Sequence, residues 1–175
     1  SRGLGDVYKR QTRNIPEKAD GSSCVERSCP CPLHSFVLDP AINYKAHHKV
    51  VGEDLHLRLE ADHVGWLGFG FGEPTSGHMK GSDMVTVAVV DSDVRVQDRH
   101  AIFAGTDDSY YWFPTLTALE DDHNDWSIVW GYEEAGSTHI YVTRALNTTD
   151  TQDRAVGVGP VRIIWSWGAS DTVAY

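Results

Sequence analysis

Residues Val64–Gly72 read VGWLGFGFG and alternate glycine with large apolar side chains. A period of two is that of a β-strand, in which successive side chains point to opposite faces. Trp66, Phe69 and Phe71 can fill a core between sheets, while the glycines leave bare backbone. That backbone permits either tight packing of a neighbouring strand or the close approach of a ligand. The segment is not a phosphate loop, because no Lys-Ser or Lys-Thr follows the glycines.

Strand patterns recur along most of the chain. Leu55–Glu60 alternates strictly, Val85–Val90 is a β-branched run, and Trp126–Tyr132 and Val161–Trp167 each place apolar residues at every second position. Thr115–Leu119 favours one helical turn. Many short alternating strands predict an all-β fold, an antiparallel β-sandwich. The aromatic side chains expected mainly inside are Trp66, Phe69, Trp126, Trp130 and Trp165.

Composition excludes several classes of function. The 175 residues suit one domain with a substantial core, and 41% of them are hydrophobic. Because 25 acidic residues outnumber 15 basic ones, for a net charge of -10, neither nucleic acid nor anionic lipid is an expected partner. No apolar run reaches the length of about 18 residues that a transmembrane helix needs.

The N-terminal residues look unlike the rest. Residues 1–11, SRGLGDVYKRQ, resemble a translated library adapter, and a natural disordered leader is the alternative. Residues 12–35 predict a flexible preface that contains Cys24, Cys29 and Cys31. Three cysteines are an odd number, so their pairing stays open and one could reach a partner segment.

A series of short motifs occurs in order along the chain, one before the glycine-rich strand and the others after it. Leu38–Pro40, Gly77–Asp83, Asn124–Trp126, Val142–Leu146 and Val161–Trp165 together resemble the DOMON domain, most closely that of dopamine β-hydroxylase-like copper monooxygenases. The resemblance implies an immunoglobulin-like antiparallel β-sandwich over residues 36–171. It also implies an extracellular or secretory-pathway protein. Such domains bind haem or sugar, or precede a catalytic domain.

The resemblance places catalysis elsewhere. Copper monooxygenases of this family hold copper on paired histidines and a methionine in domains after DOMON, so catalytic domains are expected beyond Tyr175 as partners of this one. His47 and His48 are adjacent, and adjacent strand residues face opposite ways, so they cannot easily share one metal ion. Hydrolase motifs such as G-x-S-x-G and H-E-x-x-H do not occur. The expected role is a non-catalytic regulatory or ligand-binding domain.

The family pattern also implies a cation site. By resemblance, Asp83 and Asp125 supply carboxylates, and the backbone carbonyls of Met84 and Arg99 complete the set. Oxygen ligands of this kind suit Ca²⁺ or a similar hard cation. Asp98 is a nearby spare carboxylate that could cap a turn. The alternative is that Asp83 and Asp125 are strand-end acids bonded to turn amides.

Haem and sugar are the rival ligands. Met79 lies where haem-binding DOMON domains carry an axial methionine, but no histidine follows Asn147 to act as the late second ligand, so haem is the less expected cofactor. A sugar or other small molecule could bind against Trp66 and the aromatic run Tyr110, Tyr111 and Trp112. Packing at the core or rim is the alternative role of these rings.

Asn147 begins an N-glycosylation sequon, Asn-Thr-Thr, on a polar loop. Together with the resemblance, the sequon favours secretion. In the copper-monooxygenase relatives, a cysteine before an aspartate on such a loop can bridge to the catalytic domain, whereas here the loop reads Thr148-Thr149-Asp150. Three functions remain: the regulatory domain of a copper monooxygenase, a stand-alone binding module, and a haem redox domain.

Overall fold

The computed structural model describes residues 9–15, 34–75, 80–104, 115–157 and 159–171. Their strands are β1 (Lys9–Ile15), β2 (His34–Asp39), β3 (Tyr44–Val51), β4 (Asp54–Ala61), β5 (Leu67–Phe71), β6 (Asp83–Val90), β7 (Asp93–Ala104), β8 (Thr115–Glu120), β9 (Ser127–Glu134), β10 (Ser137–Ala145) and β11 (Gly159–Trp167). A single 3₁₀ turn at Pro40–Ile42 separates β2 from β3. None of the described residues belongs to a helix with the length and hydrophobicity needed to span a bilayer.

The strands form two antiparallel sheets. One has six strands in the order β1-β11-β5-β6-β7-β8, and the other has five in the order β2-β3-β4-β10-β9. Every second residue of the central strands faces the partner sheet, which explains why β4 buries its leucines and leaves the residues between them half-buried. The predicted antiparallel β-sandwich is therefore confirmed.

Inward side chains of both sheets make one apolar core. In the six-stranded sheet Phe69, Val85 and Trp165 contribute, and the five-stranded sheet supplies Leu57 and Ile140. Phe69, Trp126 and Trp165 are each 4% exposed, as their alternation predicts. Burying a large apolar side chain contributes roughly 1.5–3 kcal/mol, so this layer accounts for most of the favourable free energy of folding.

Two of the predicted core tryptophans lie at the surface of the sandwich. Trp130 pairs with Tyr141 on the outward face of the five-stranded sheet, and a bulge lies next to that pair. Because the bulge inserts one residue, it reverses the alternation, so Trp126 and Trp130 cannot share a face. Trp66 precedes β5 and is also only half-buried.

Two short segments differ from their predicted structure. Thr115–Glu120 is a strand paired with β7 rather than a helical turn, because cross-strand hydrogen bonds outweigh a weak local preference. Lys9–Ile15 is an edge strand paired with β11, where the sequence predicted a leader and a loop. Polar, charged residues such as these suit an edge strand, which is why the composition resembled a loop.

The glycine-rich strand packs tightly against its neighbours. A Cβ atom at Gly70 would lie 2.6 Å from the Asp83 carbonyl oxygen and 2.6 Å from Met84 Cγ. At Gly68 the corresponding space is taken by the Ser166 side chain. The glycines of β5 therefore let β6 and β11 approach closely, and their neighbours occupy the space a side chain would need.

We predict that Gly70→Ala destabilises the domain by about 1–3 kcal/mol, because the added methyl group meets backbone that cannot move aside. Gly72→Ala is the matched control, since its nearest neighbour would be an ordinary 3.4 Å away. Chemical denaturation of both variants measures the difference. Equal stabilities would show that close packing at Gly70 is not required.

Candidate metal centre

Three carboxylates meet at one end of the sandwich. Asp83 is the first residue of β6 and Asp98 lies in β7, on the same inward face as Val85 and Val87. Asp153 joins them from the loop between β10 and β11. One oxygen from each carboxylate lies within 4.8 Å of the others. These three residues are called the carboxylate cluster below.

A buried arginine enters the carboxylate cluster from the opposite sheet. Arg144 continues the inward face of β10 after Ile140 and Val142, and its side chain is fully buried. Its Nη1 donates to Asp83 Oδ2 at 2.7 Å and lies 3.8 Å from Asp153 Oδ2. The guanidinium also stands 5.3 Å from the ring centroid of Trp126. Arg144 thus brings one positive charge to three carboxylates.

Backbone hydrogen bonds fix the loop that carries Asp153. The amide of Arg154 donates to Asp83 Oδ2 at 2.8 Å, and its carbonyl accepts from Arg144 Nη2 at 2.6 Å. The amide of Val156 donates to the Leu146 carbonyl at 2.7 Å, which closes the base of the loop. Because residue 154 is held on both sides, the Asp153 side chain is held against Asp83 and Asp98.

The hydrogen bonds of the carboxylate cluster are incomplete. Asp98 accepts two backbone amides, from Arg99 on Oδ1 and from Asp125 on Oδ2, each at 3.0 Å. By contrast, Asp83 Oδ1 and both oxygens of Asp153 are buried without a hydrogen-bond partner. Buried carboxylate oxygens are normally paired or bound to a metal ion. Three buried oxygens without hydrogen bonds, one of them in an ion pair with Arg144, therefore make this a candidate cation site.

Burial raises the pKa of two acids of the carboxylate cluster, Asp83 and Asp98, and neighbouring carboxylates add to both shifts. The pKa of Asp83 rises to about 6 and that of Asp98 to about 7. Burial also raises the pKa of Asp125 and of Asp121, and the charge of Asp153 adds to both shifts. Asp121 has a partner of its own, since it hydrogen-bonds His100 Nδ1. A divalent ion would favour the ionised form of the whole group.

The predicted metal ligands are partly brought together. Asp83 is in the carboxylate cluster, while Asp125 contributes its backbone amide to Asp98 and its carboxylate lies outside the group of three. Met84 and Arg99 pair across β6 and β7, next to Asp83 and Asp98 along their strands. Their carbonyls remain predicted ligands.

Asp153 and Arg144 belong to the carboxylate site but were not predicted from the sequence. Arg144 falls at a position of β10 where alternation predicts an inward-facing side chain. A charged residue at such a position indicates a buried acid as its partner, because a buried guanidinium needs one. Asp153 lies in a polar loop with Asp150, and nothing in its local sequence distinguishes the two acids. Asp98, which was predicted as a spare carboxylate near the metal ligands, is one of the three acids of the carboxylate cluster.

The remaining predicted site residues fall in different places. Trp66 lines a cavity of about 10 Å³ beside Arg99 and Trp165, which is room for about one water molecule. Asn147 is exposed, and its side chain accepts from the Thr149 amide at 3.2 Å. Met79, the aromatic run at residues 110–112 and the three cysteines lie outside the described residues.

A family model for the DOMON domain matches residues 41–168. This chain belongs to the DOMON domain family. Among curated relatives, mouse DBH-like monooxygenase protein 1 is 32% identical over 157 residues, which cover 90% of this chain and 23% of that protein. MOXD1 homolog 2 of Drosophila melanogaster is 25% identical over 141 residues, covering 80% of this chain and 17% of its own length. The chain thus spans about a fifth of the relatives it matches.

A solved structure shares the DOMON fold. The cytochrome domain of Myriococcum thermophilum cellobiose dehydrogenase superposes with a TM-score of 0.54 at 13% sequence identity. The match covers 79% of this chain and 70% of that one. At this identity the likeness concerns the fold alone.

Proposed function

We propose that this DOMON domain is a non-catalytic, cation-stabilised part of a copper-dependent monooxygenase. The cation assignment is supported by the carboxylate cluster, in which three buried oxygens have no hydrogen-bond partner and one buried arginine lies beside them. Oxygens that bind one Ca²⁺ ion at about 2.3–2.6 Å lie at most about 5 Å apart, and the cluster meets that limit. Asp83, Asp98 and Asp153 hold the ion, and predicted carbonyl ligands and water complete its coordination.

The monooxygenase assignment rests on the relatives. Their names describe DBH-like monooxygenases, and this domain corresponds to less than a quarter of their length. In this proposal the copper and the catalytic groups belong to further domains of the parent protein, and the DOMON domain acts on them as a regulatory or docking partner. The bound cation would keep the carboxylate end of the sandwich rigid for that role.

Isothermal titration calorimetry of the chain with Ca²⁺ tests the proposal. We expect one ion to bind the wild type, and Asp153→Asn and Asp98→Asn to weaken binding strongly. Glu134→Gln is the matched control, because it also removes one negative charge. Glu134 is exposed at the last residue of β9, whereas the carboxylate cluster is near the residues before β9. Absence of heat in the wild type, or equal binding by all variants, would contradict the cation assignment.

A haem redox function is the rival within this fold. We predict that the purified domain gains no stoichiometric Soret band after incubation with haem, because no histidine follows Asn147 to pair with Met79. Absorption spectroscopy of the wild type and Met79→Ala checks this. A stoichiometric Soret band that Met79→Ala abolishes would overturn the prediction and favour the redox function.

We propose secretion for the parent protein, in line with the sequon at the exposed residue Asn147. Expression in secretory eukaryotic cells should yield a form that migrates more slowly in gel electrophoresis and that peptide N-glycosidase converts to the faster form. Asn147→Gln should remove the slow form, and Asn124→Gln should leave it. Identical migration of wild type and Asn147→Gln would contradict glycosylation at this site.

A further inference from the structure

Two histidines face each other at the edge of the five-stranded sheet. His34 of β2 lies opposite His48 of β3 in antiparallel register. Their imidazole centroids are 5.6 Å apart, and the ring planes meet at 38°. His47, the sequence neighbour of His48, points to the other face, where its Nε2 is 3.1 Å from Glu60. The partner of His48 is therefore a cross-strand histidine rather than an adjacent one.

His48 is buried without hydrogen-bond partners. Its exposed fraction is 7%, and neither Nδ1 nor Nε2 has a partner. Phe36 packs edge-on against the His48 ring at 5.7 Å and limits its orientation.

Other histidines of the described chain are already engaged. His56 Nδ1 is 2.7 Å from the Tyr141 hydroxyl, and His100 is bonded to Asp121. His47 Nδ1 is 2.6 Å from Ser35 Oγ. His48 differs from these three because its nitrogens are both buried and unsatisfied. A buried nitrogen without a hydrogen bond calls for water, an ion or another ligand as its partner, and the imidazole of His34 stands beside this one.

We infer that His34 and His48 form a site for a divalent transition-metal ion of the Zn²⁺ or Cu²⁺ class. A metal–nitrogen bond of about 2.0–2.1 Å places the ion roughly 3 Å from each ring centroid, so two ligating rings stand no more than about 6 Å apart. The observed 5.6 Å satisfies that limit. Imidazole nitrogen suits these ions, whereas the carboxylate cluster suits a hard cation.

The surroundings of the two histidines let a metal ion enter from the solvent side only. His34 is exposed and gives an ion access from solvent, while His48 is held in the sandwich edge. Two imidazoles leave the other coordination positions of the ion to water. Because neither the carboxylate cluster nor the monooxygenase assignment enters this geometry, the histidine site stands or fails separately from the proposed function.

Zn²⁺ titration of the wild type and of Asp153→Asn tests the site, because Asp153→Asn removes one acid of the carboxylate cluster and leaves both histidines unchanged, so the two proteins should bind Zn²⁺ alike. We expect calorimetry of the wild type to show one Zn²⁺ bound. His34→Ala should weaken that binding at least about tenfold, since even indirect supports of metal ligands are worth 10–100-fold. His48→Gln should do the same, and His56→Ala should bind like the wild type.

X-ray absorption of the Zn²⁺-loaded chain gives a second readout, with two imidazole ligands expected in the wild type and one in His34→Ala. His34 is exposed, so His34→Ala keeps the test valid even where His48→Gln fails to fold. Unchanged affinity in His34→Ala, or a wild type that binds no Zn²⁺, would overturn the inference. Loss of binding in His56→Ala instead would place the ion elsewhere.

Discussion

Replacing Arg144 with alanine should lower the free energy of unfolding of the calcium-free domain by about 3–5 kcal/mol, the range for removing one partner of a buried ion pair. The Arg144 side chain is fully buried, so solvent does not screen its charge. Its loss would leave Asp83 and Asp153 facing each other with no positive charge between them. It would also remove the bond from Nη2 that holds the Arg154 carbonyl.

Urea denaturation in chelator measures this effect. Arg95→Ala is the matched control: Arg95 is exposed on β7, and changes at such sites are usually within about 0.5 kcal/mol. In Ca²⁺ the difference between Arg144→Ala and wild type should shrink, because the ion supplies the missing positive charge. Equal losses in Arg144→Ala and Arg95→Ala would show that the ion pair between the sheets contributes little.

Calcium binding should stabilise the wild-type domain. At about 100 times the dissociation constant the gain is roughly 2.7 kcal/mol, provided that the unfolded chain does not bind. For a domain of this size each kcal/mol raises the melting temperature by about 2–4 °C. Differential scanning calorimetry with Ca²⁺ and with chelator should show the increase in wild type and Glu134→Gln, and little of it in Asp153→Asn. Identical melting of wild type in both buffers would exclude the ion.

The stabilisation of the folded domain by Ca²⁺ should increase with pH. The folded-state pKa values of Asp83 and Asp98 are about 6 and about 7, above the ordinary 3.8. Between about pH 4 and 7 the unfolded chain has already lost these protons, whereas the folded domain still holds them. The stability of the calcium-free fold therefore falls as pH rises through this range. Ca²⁺ needs the ionised carboxylates, so its stabilisation should be larger at pH 7.5 than at pH 5. A gain that is larger at pH 5 would contradict carboxylate ligation.

The strands were predictable where side-chain alternation is strong. Leu55–Glu60 and Val85–Val90 face a core on one or both sides, so their patterns determine strand and register together. The same phase places Asp83 at the inward start of β6, but its role as a metal ligand was predicted only from the resemblance to the DOMON family. Trp130 was misassigned because a bulge depends on cross-strand fit, and single-strand periodicity does not record it.

Other members of the site depend on tertiary contacts: the inward phase of β10 marks Arg144 as buried, but its acidic partners are not in the local sequence. Arg144 and Asp83 are 61 positions apart and come from different sheets. Asp153 takes its place because Arg154 is bonded to both Asp83 and Arg144, a tertiary relation. His34 and His48 meet through strand pairing, whereas the sequence drew attention to His47 and His48. In each case the side chains are brought together by tertiary contacts between segments that are distant in the sequence.

X-ray diffraction from crystals grown with Ca²⁺, and with a lanthanide as a strong anomalous scatterer, locates any cation bound by the domain. We expect one anomalous peak between Asp83, Asp98 and Asp153, with carboxylate oxygens about 2.3–2.6 Å from a bound Ca²⁺ ion. Asp153→Asn crystals should lose the peak, and Glu134→Gln crystals should keep it. A wild-type map with no peak in the carboxylate cluster, or with its peak at another site, would contradict cation binding by Asp83, Asp98 and Asp153.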